Sequence, residues 1–198
     1  QKLDTLSSNL NLTGYRAIIE AYNEFPRFSK PITTAAGKVA PSTVMIMGAG
    51  VAGLAAIGLA KGMGAIVKAF DVRAAAKEQV ESLGGEFLEV DYKESGDGGG
   101  GYAKEMSEGY KQAQKAMIAR EIGKSDIVVT TALIPGRPAP KLLDAETIRL
   151  MKPNSVIVDM AAEMGGNCEL TKKDEMYVDQ VSKVKILGYT DLSSRMAQ

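Results

Sequence analysis

Short apolar runs alternate along the chain with stretches in which apolar residues recur at helical spacing. The apolar runs lie at 44–47, 65–70, 86–90, 127–131, 155–159 and 184–188. The stretches with helical character lie at 51–62, 74–83, 102–121 and about 144–151. Alternating strands and helices indicate a parallel sheet covered by helices on both faces. We therefore predict an α/β protein with a doubly wound, six-stranded parallel sheet in the order 3-2-1-4-5-6.

A segment with helical spacing precedes the first strand. Apolar residues recur every three or four positions over residues 3–28, and Gly14 is predicted to break this segment or to join two helical pieces. Pro26 and the polar residues up to Pro41 predict a loop. The pattern thus gives a helical segment at 1–30 that leads into an α/β domain at 40–198.

Three glycines follow the first predicted strand in the spacing G-x-G-x-x-G. They are Gly48, Gly50 and Gly53, and a helical pattern and a second strand that ends at Asp71 come after them. This order of strand, glycines, helix, strand and acid is the fingerprint of a dinucleotide-binding unit. Gly48 permits a tight turn, Gly50 lets a pyrophosphate approach the backbone, and Gly53 lets the helix pack closely on the sheet. The alternative is a βα turn that binds no ligand.

The acid at the end of the second strand bears on which coenzyme binds. Asp71 lies 18 residues after Gly53, close to the usual spacing of about 20. A carboxylate there accepts hydrogen bonds from ribose hydroxyls and repels a 2′-phosphate, which favours NAD over NADP, although a nearby arginine can accept that phosphate. The cofactor-binding residues predicted in this unit are Gly48, Gly50, Val51, Ala52, Gly53, Asp71, Val72 and Arg73.

Two further segments follow later strands, at the same edge of the sheet. In the first, Ala132 and Leu133 offer a flat apolar floor for an adenine or nicotinamide ring; the alternative is a plain strand-to-helix connection. In the second, paired glycines before Asn167 suggest close approach of the backbone to a ligand. Cys168 is interpreted as a packing residue rather than a nucleophile, because no basic partner is apparent. The predicted contacts here are Thr131, Ala132, Leu133, Pro135 and Asn167.

The segment from Asp91 to Gly101 is rich in glycine and polar residues. Such a segment buries little apolar area, and ordering it costs backbone entropy. It fits either an exposed loop or a mobile loop, spanning about 91–106, that closes over a ligand with Tyr102 and Met106 as its apolar contacts.

Composition excludes several kinds of chemistry. The chain of 198 residues has 24 basic and 24 acidic residues, so no net field favours nucleic acid or an anionic membrane. It has no histidine and a single cysteine, which rules out a Ser-His or Cys-His nucleophile and argues against a metal site. It has no run of 18 apolar residues, so we expect this piece to be soluble. The remaining possibility is chemistry supplied by a bound cofactor.

Several of these motifs together resemble one family, the NAD(H)-binding domain I of proton-translocating nicotinamide nucleotide transhydrogenase. The resemblance covers nearly the whole chain, but only the second of the two Rossmann-like halves of that domain. Alanine dehydrogenase shares the glycine fingerprint, the Pro-Gly loop and part of the Gly-Gly segment, and is the nearest alternative. The main matching segments are 48–57, 130–141, 156–162 and 165–169.

The resemblance implies roles for residues that spacing alone leaves unassigned. Gln1, Asp4 and Ser7 match the Gln-x-x-Asp-x-x-Ser that orients the nicotinamide at the hydride-transfer centre; the alternative is a plain face of an N-terminal helix. Tyr102 and Met106 match the mobile loop that folds over the nucleotide. The chain departs from the family at Ser193, where a proline is usual, and the arginine that precedes the glutamine lies outside it.

The resemblance also implies partners and a reaction. NAD(H) would bind to this chain and NADP(H) to a domain III, with hydride passing directly between them, while a membrane domain II couples the transfer to proton translocation. A homodimer formed through domain I is implied, with the domain peripheral to a membrane on the cytoplasmic or matrix side. Two alternatives remain: an NAD-dependent amino acid dehydrogenase of the alanine dehydrogenase type, and a non-enzymatic NAD sensor.

Overall fold

The computed structural model describes residues 5–98 and 103–197, which form a sheet covered by helices on both faces. The helices are α1 (Thr5–Glu24), α2 (Val51–Gly62), α3 (Ala76–Ser82), α4 (Glu108–Ile122) and α5 (Ala145–Ile148). The strands are β1 (Ile32–Thr34), β2 (Gly37–Val39), β3 (Thr43–Met47), β4 (Ile66–Phe70), β5 (Glu86–Phe87), β6 (Ile127–Thr130), β7 (Val156–Asp159), β8 (Met176–Val178) and β9 (Lys185–Leu187). Short 3₁₀ helices cover Ala162–Met164 and Leu192–Arg195.

The main sheet has the order β5-β4-β3-β6-β7-β9-β8. Its first six strands are parallel and correspond to the six predicted runs, so the 3-2-1-4-5-6 order is confirmed. The seventh strand, β8, pairs antiparallel with β9 at the edge and was not predicted. It has only three residues in a polar neighbourhood, too few for a period-2 pattern to be recognised.

The two faces of the sheet carry two hydrophobic cores. Strand residues such as Val44 and Ile46 point to the face covered by α1, α2 and α3. Their neighbours Met45 and Met47 point to the opposite face, which α4 and α5 cover. Successive side chains of a strand alternate between faces, so a central strand must be apolar throughout. Because the six strands are parallel, their carboxyl ends lie at one edge of the sheet, and the helices leave this edge open.

Helix α1 is continuous through Gly14, so the predicted break is wrong. A methyl group at Gly14 would lie 2.0 Å from the carbonyl oxygen of Ala52. Glycine therefore serves here to let α1 and α2 approach each other closely, at the cost of some helix propensity. Within the described residues no helix, including α1 with its 20 residues, is long and apolar enough to span a bilayer.

Two connecting segments differ from the prediction. The loop predicted at 26–41 contains the hairpin of β1 and β2, whose exposed, mostly polar residues gave no strand signal. Helix α4 begins at Glu108 rather than near 102, because the Ser107 side chain caps it by accepting a hydrogen bond from the Tyr110 amide. The segment before α4 is anchored where the Ser107 amide and hydroxyl both donate to Glu94.

Candidate functional site

A cleft of about 1250 Å³ opens at the carboxyl edge of the sheet. In doubly wound sheets ligands bind at this edge, where the strand order reverses direction. Here the reversal lies between β3 and β6. The cleft is bordered by the glycine turn after β3, the end of β4, the loop after β6, the start of α1 and the buried side of α4.

The glycine turn has the geometry that the motif predicts. Gly48 has a φ of 107°, a left-handed conformation that favours glycine, and its amide donates to the Phe70 carbonyl at 2.8 Å. A methyl group at Gly53 would lie 1.8 Å from the Gly48 carbonyl oxygen. Gly53 therefore allows α2 to pack against the turn.

The start of α2 faces the cleft. Gly50, Val51 and Ala52 all line it. The first amides of a helix lack intrahelical acceptors and carry the positive end of the helix dipole, so they attract phosphate groups. Gly50 has an ordinary extended conformation. Among the described residues, apart from its chain neighbours, the only atom within 4 Å of a methyl group built there is Nη2 of Arg73, at 3.9 Å. The space in front of Gly50 is thus open to a ligand.

Four hydrogen bonds from the part of the chain that the structure describes hold Asp71 at the end of β4. Its Oδ2 accepts from the Ala49 amide and from Arg73 Nη2, both at 2.7 Å. Its Oδ1 accepts from the Arg73 amide and from Arg73 Nε, both at 2.9 Å. The carboxylate is nearly buried, with 6% of its side chain exposed, and this pairing raises the pKa of the Arg73 guanidinium. Asp71 therefore connects the glycine turn to the end of β4 through its hydrogen bonds.

The loop after β6 forms another wall of the cleft. The Thr131 amide donates to the Met47 carbonyl and its hydroxyl donates to the Gly48 carbonyl at 3.0 Å, which fixes the loop to the glycine turn. Ala132 and Leu133 line the cleft, and Leu133 is 43% exposed. An exposed leucine in a cleft provides apolar area that a flat ring could cover.

The segment before α4 closes another side. Met106 is buried and lines the cleft, next to Glu105. Glu105 pairs with Arg137 of the loop after β6 and with Lys111 of α4. Because both partners are exposed and screened by solvent, these ion pairs stabilise the segment only weakly.

Gln114 is a site residue that the sequence analysis missed. It lies on the buried side of α4, is 6% exposed and lines the cleft. Its side-chain amide forms no hydrogen bond with the residues that the structure describes. One turn earlier lies Tyr110, whose pKa is raised to about 12 by burial and by the nearby negative charge of Asp71. One signal in the sequence could have indicated Gln114. It is a polar residue four positions after Tyr110, on the same helix face as Met117 and Ile118, where apolar residues are expected.

The structure brings most of the predicted residues together. Gly53 and Asn167 are buried behind the cleft surface, and Pro135 is exposed on the loop outside it. Gln1, Asp4 and Tyr102 lie outside the described residues. The predicted residues that line the cleft are Ser7, Gly48, Gly50, Val51, Ala52, Asp71, Val72, Arg73, Met106, Thr131, Ala132 and Leu133.

Cys168 has the environment of a packing residue. It is fully buried, and burial raises the pKa of its thiol to about 11, so the reactive thiolate is scarce near neutral pH. We expect the native protein at pH 8 to react with a thiol reagent at least about 100-fold more slowly than the urea-unfolded chain, because both burial and the pKa oppose reaction. Absorbance-detected labelling measures this difference. Equal rates in the two states would contradict the assignment.

The structure combines a doubly wound parallel sheet, a glycine turn at the switch point after β3, and an acid at the end of β4. Together these features define a Rossmann-like nucleotide-binding domain. Residues 17–198 match the family described as alanine dehydrogenase/PNT, C-terminal domain, and the chain belongs to this family.

Transhydrogenase components are among the proteins most similar to this chain. It is 53% identical over 196 residues to NAD(P) transhydrogenase subunit alpha of Haemophilus influenzae, covering 99% of this chain and 38% of that protein. It is 53% identical over 199 residues to the subunit alpha of Cereibacter sphaeroides, covering 100% and 38%. The crystal structure of transhydrogenase from Sinorhizobium meliloti superposes with a TM-score of 0.84 at 46% identity, covering 98% and 51%. These matches confirm the predicted resemblance, although the chain spans about half or less of each of these proteins.

Proposed function

We propose that this chain binds NAD(H) in the edge cleft and presents it for direct hydride transfer to NADP⁺ held by a partner domain. The observation that carries the proposal is the joint placement of the Gly50 turn, the α2 amides and Asp71 around one open cleft. Similarity to transhydrogenase alpha subunits over the whole chain supports the choice of reaction.

The walls of the cleft match the successive groups of the coenzyme. The amides of Val51 and Ala52 would hold the diphosphate. Asp71 would accept hydrogen bonds from the adenosine ribose, which requires the Arg73 guanidinium to move off at least one carboxylate oxygen. If Arg73 keeps its pair with the other carboxylate oxygen, it stays a poor receptor for a 2′-phosphate. This arrangement favours NAD(H) over NADP(H).

Gln114 would contact the adenine portion. It lines the cleft one turn beyond Tyr110 on the same face of α4, and Tyr110 lies close enough to Asp71 for that charge to raise its pKa. Its amide both donates and accepts, which suits the N6 and N7 edge of adenine. The apolar side chains of Val72, Met106 and Leu133 would supply contacts for the rings.

Removing the amide of Gln114 should weaken binding without harming the fold. We expect Gln114→Leu to bind NADH about tenfold more weakly, because one good hydrogen-bonded contact is lost. Its melting temperature should be unchanged or higher, since the amide has no described protein partner. Calorimetric titration and thermal unfolding measure the two effects. Wild-type affinity in this variant would remove Gln114 from the site.

Direct hydride transfer makes modest chemical demands on the protein. It needs no general acid or base, which agrees with a chain that has no histidine. It needs the two nicotinamide rings held about 3–3.5 Å apart with their orbitals aligned, and water excluded. We propose that Gln1, Asp4 and Ser7 orient the nicotinamide and that Tyr102 and Met106 close over it. Ser7 and Met106 both line the cleft.

The rest of the proposal concerns the assembly. NADP(H) would be held by a domain III, and a membrane domain II would couple hydride transfer to proton translocation. We also propose a homodimer, and a position beside the membrane on the cytoplasmic or matrix side. This part of the proposal is supported by the similarity of the chain to transhydrogenase alpha subunits. The chain covers only a portion of each of them.

Two experiments test the function. In the first, NADH and NADPH are titrated into this chain, and NADH should bind much more tightly; equal affinities would contradict the coenzyme assignment. In the second, the full-length protein is assayed for NADH-dependent reduction of an NADP analogue, and separately with pyruvate, ammonia and NADH. Activity only with pyruvate, ammonia and NADH would indicate an alanine-dehydrogenase-type enzyme. Binding without activity in either assay would indicate an NAD sensor.

A further inference from the structure

Asn167 is fully buried and hydrogen-bonds three backbone groups of a different segment. Its Oδ1 accepts from the Ala132 amide at 3.0 Å. Its Nδ2 donates to the Ala132 carbonyl and to the Pro140 carbonyl, both at 2.8 Å. The side chain thus pairs with Ala132 as a neighbouring strand would, and it uses both of its donors on the loop after β6.

The loop is therefore held from two sides. On one side Thr131 is bound to the carbonyl oxygens of Met47 and Gly48. On the other side Asn167 binds Ala132. Leu133 is the next residue, and its exposed side chain lines the cleft. The position of Leu133 therefore depends on the hydrogen bonds of both Thr131 and Asn167.

The segment that carries Asn167 is itself fixed. The buried carboxylate of Asp159, at the end of β7, accepts hydrogen bonds from the Cys168 amide at 3.1 Å and from the Thr171 hydroxyl. The Asn167 carbonyl also accepts from the amides of Leu142 and Leu143. Asn167 is consequently a rigid support rather than a side chain that can turn into the cleft.

We propose that Asn167 is a positioning residue, which acts on the coenzyme only by setting the Ala132 backbone and hence the Leu133 side chain against which a coenzyme ring packs. This inference rests on the proposed function, because it requires NAD(H) to occupy the cleft. In this proposal Asn167 does not touch the coenzyme, and it affects coenzyme binding only through the position of Leu133.

A double-mutant cycle between Asn167 and Leu133, read by NADH affinity, tests this role. Asn167→Asp keeps the oxygen that accepts from Ala132 but loses both donors, so it should weaken NADH binding about tenfold. Leu133→Ala changes a partly exposed side chain and should also weaken binding roughly tenfold. If Asn167 acts through Leu133, adding Asn167→Asp to Leu133→Ala should cost less than about a further twofold.

The alternatives give different results in the same cycle. Additive losses would overturn the proposal, since they indicate direct contact or a general loss of structure. Full affinity in Asn167→Asp or in Leu133→Ala would overturn it as well, while leaving NADH binding itself established. Failure of the wild-type chain to bind NADH would instead refute the proposed function.

A matched control separates positioning from lost stability. Asp126 is a buried carboxylate at the start of β6, and its Oδ2 accepts from the Thr43 amide at 2.8 Å on the opposite edge of the sheet. Asp126→Asn should lower the melting temperature but leave NADH affinity within about twofold of wild type. Asn167→Ala, if it folds, should give the same coupling to Leu133 as Asn167→Asp.

Discussion

Replacement of Gly50 by valine should reduce NADH affinity on the order of 100-fold, which corresponds to about 2.7 kcal/mol. The reason is steric: the space in front of Gly50 is open in the protein, and the proposed site places the diphosphate there. The same substitution should lower the free energy of unfolding by only about 1 kcal/mol. Valine can adopt the extended conformation of Gly50, so the only cost is that it is a less favourable N-cap residue for α2 than glycine. Calorimetry and chemical denaturation measure the two quantities.

Other glycines of the chain provide controls for this effect. Gly58 lies on the exposed side of α2. Apart from its chain neighbours and the α2 backbone, no atom of the described residues lies within 4 Å of a methyl group built there. Gly58→Ala should therefore raise stability by about 0.5–1 kcal/mol and leave binding unchanged. Gly53→Ala would clash with the Gly48 carbonyl and so cannot separate folding from binding. Tight binding of NADH by Gly50→Val would mean that the diphosphate lies elsewhere.

Replacement of Asp71 by alanine should also weaken NADH binding about 100-fold, because two charge-assisted hydrogen bonds to the ribose would be lost. The substitution releases Arg73 from its pair with Asp71. A guanidinium that no longer pairs with Asp71 can attract a 2′-phosphate beside the ribose site. The ratio of NADPH affinity to NADH affinity should therefore rise, and titration of both coenzymes into the variant measures it.

The stability of this variant needs its own control, because Asp71 also accepts a hydrogen bond from the Ala49 amide. Asp179 is an equally enclosed carboxylate that pairs with Arg149 and does not line the cleft. Asp179→Ala should destabilise the fold by a similar amount and retain NADH affinity. An unchanged coenzyme preference in Asp71→Ala would show that Asp71 does not contact the ribose.

The parallel sheet was predictable because its strands are buried on both faces. Runs such as 44–47 and 127–129 are continuously apolar, and the glycines between the first strand and α2 fix both the turn and the switch point. The hairpin at 32–39 and β8 were missed because their residues are exposed or only partly buried, and each strand there has only three residues.

The differences between prediction and structure arise from contacts between distant segments. Gly14 was predicted to interrupt a helix because its neighbour at Ala52 is invisible in the local sequence. Asn167 is predicted to touch the coenzyme because of the glycines beside it, and the structure adds that its amide binds Ala132, 35 positions away. Gln114 was missed because burial, rather than a motif, singles it out. Local patterns gave the edge of the sheet that carries the cleft, whereas the role of each residue within it depends on tertiary contacts.

A crystal structure of this chain with bound NADH tests the central claim most directly. The account predicts the diphosphate against the amides of Val51 and Ala52, and the adenosine ribose on Asp71 with the Arg73 guanidinium displaced from at least one carboxylate oxygen. A coenzyme found outside this cleft, or one that leaves those amides and the Asp71–Arg73 pair untouched, would contradict it.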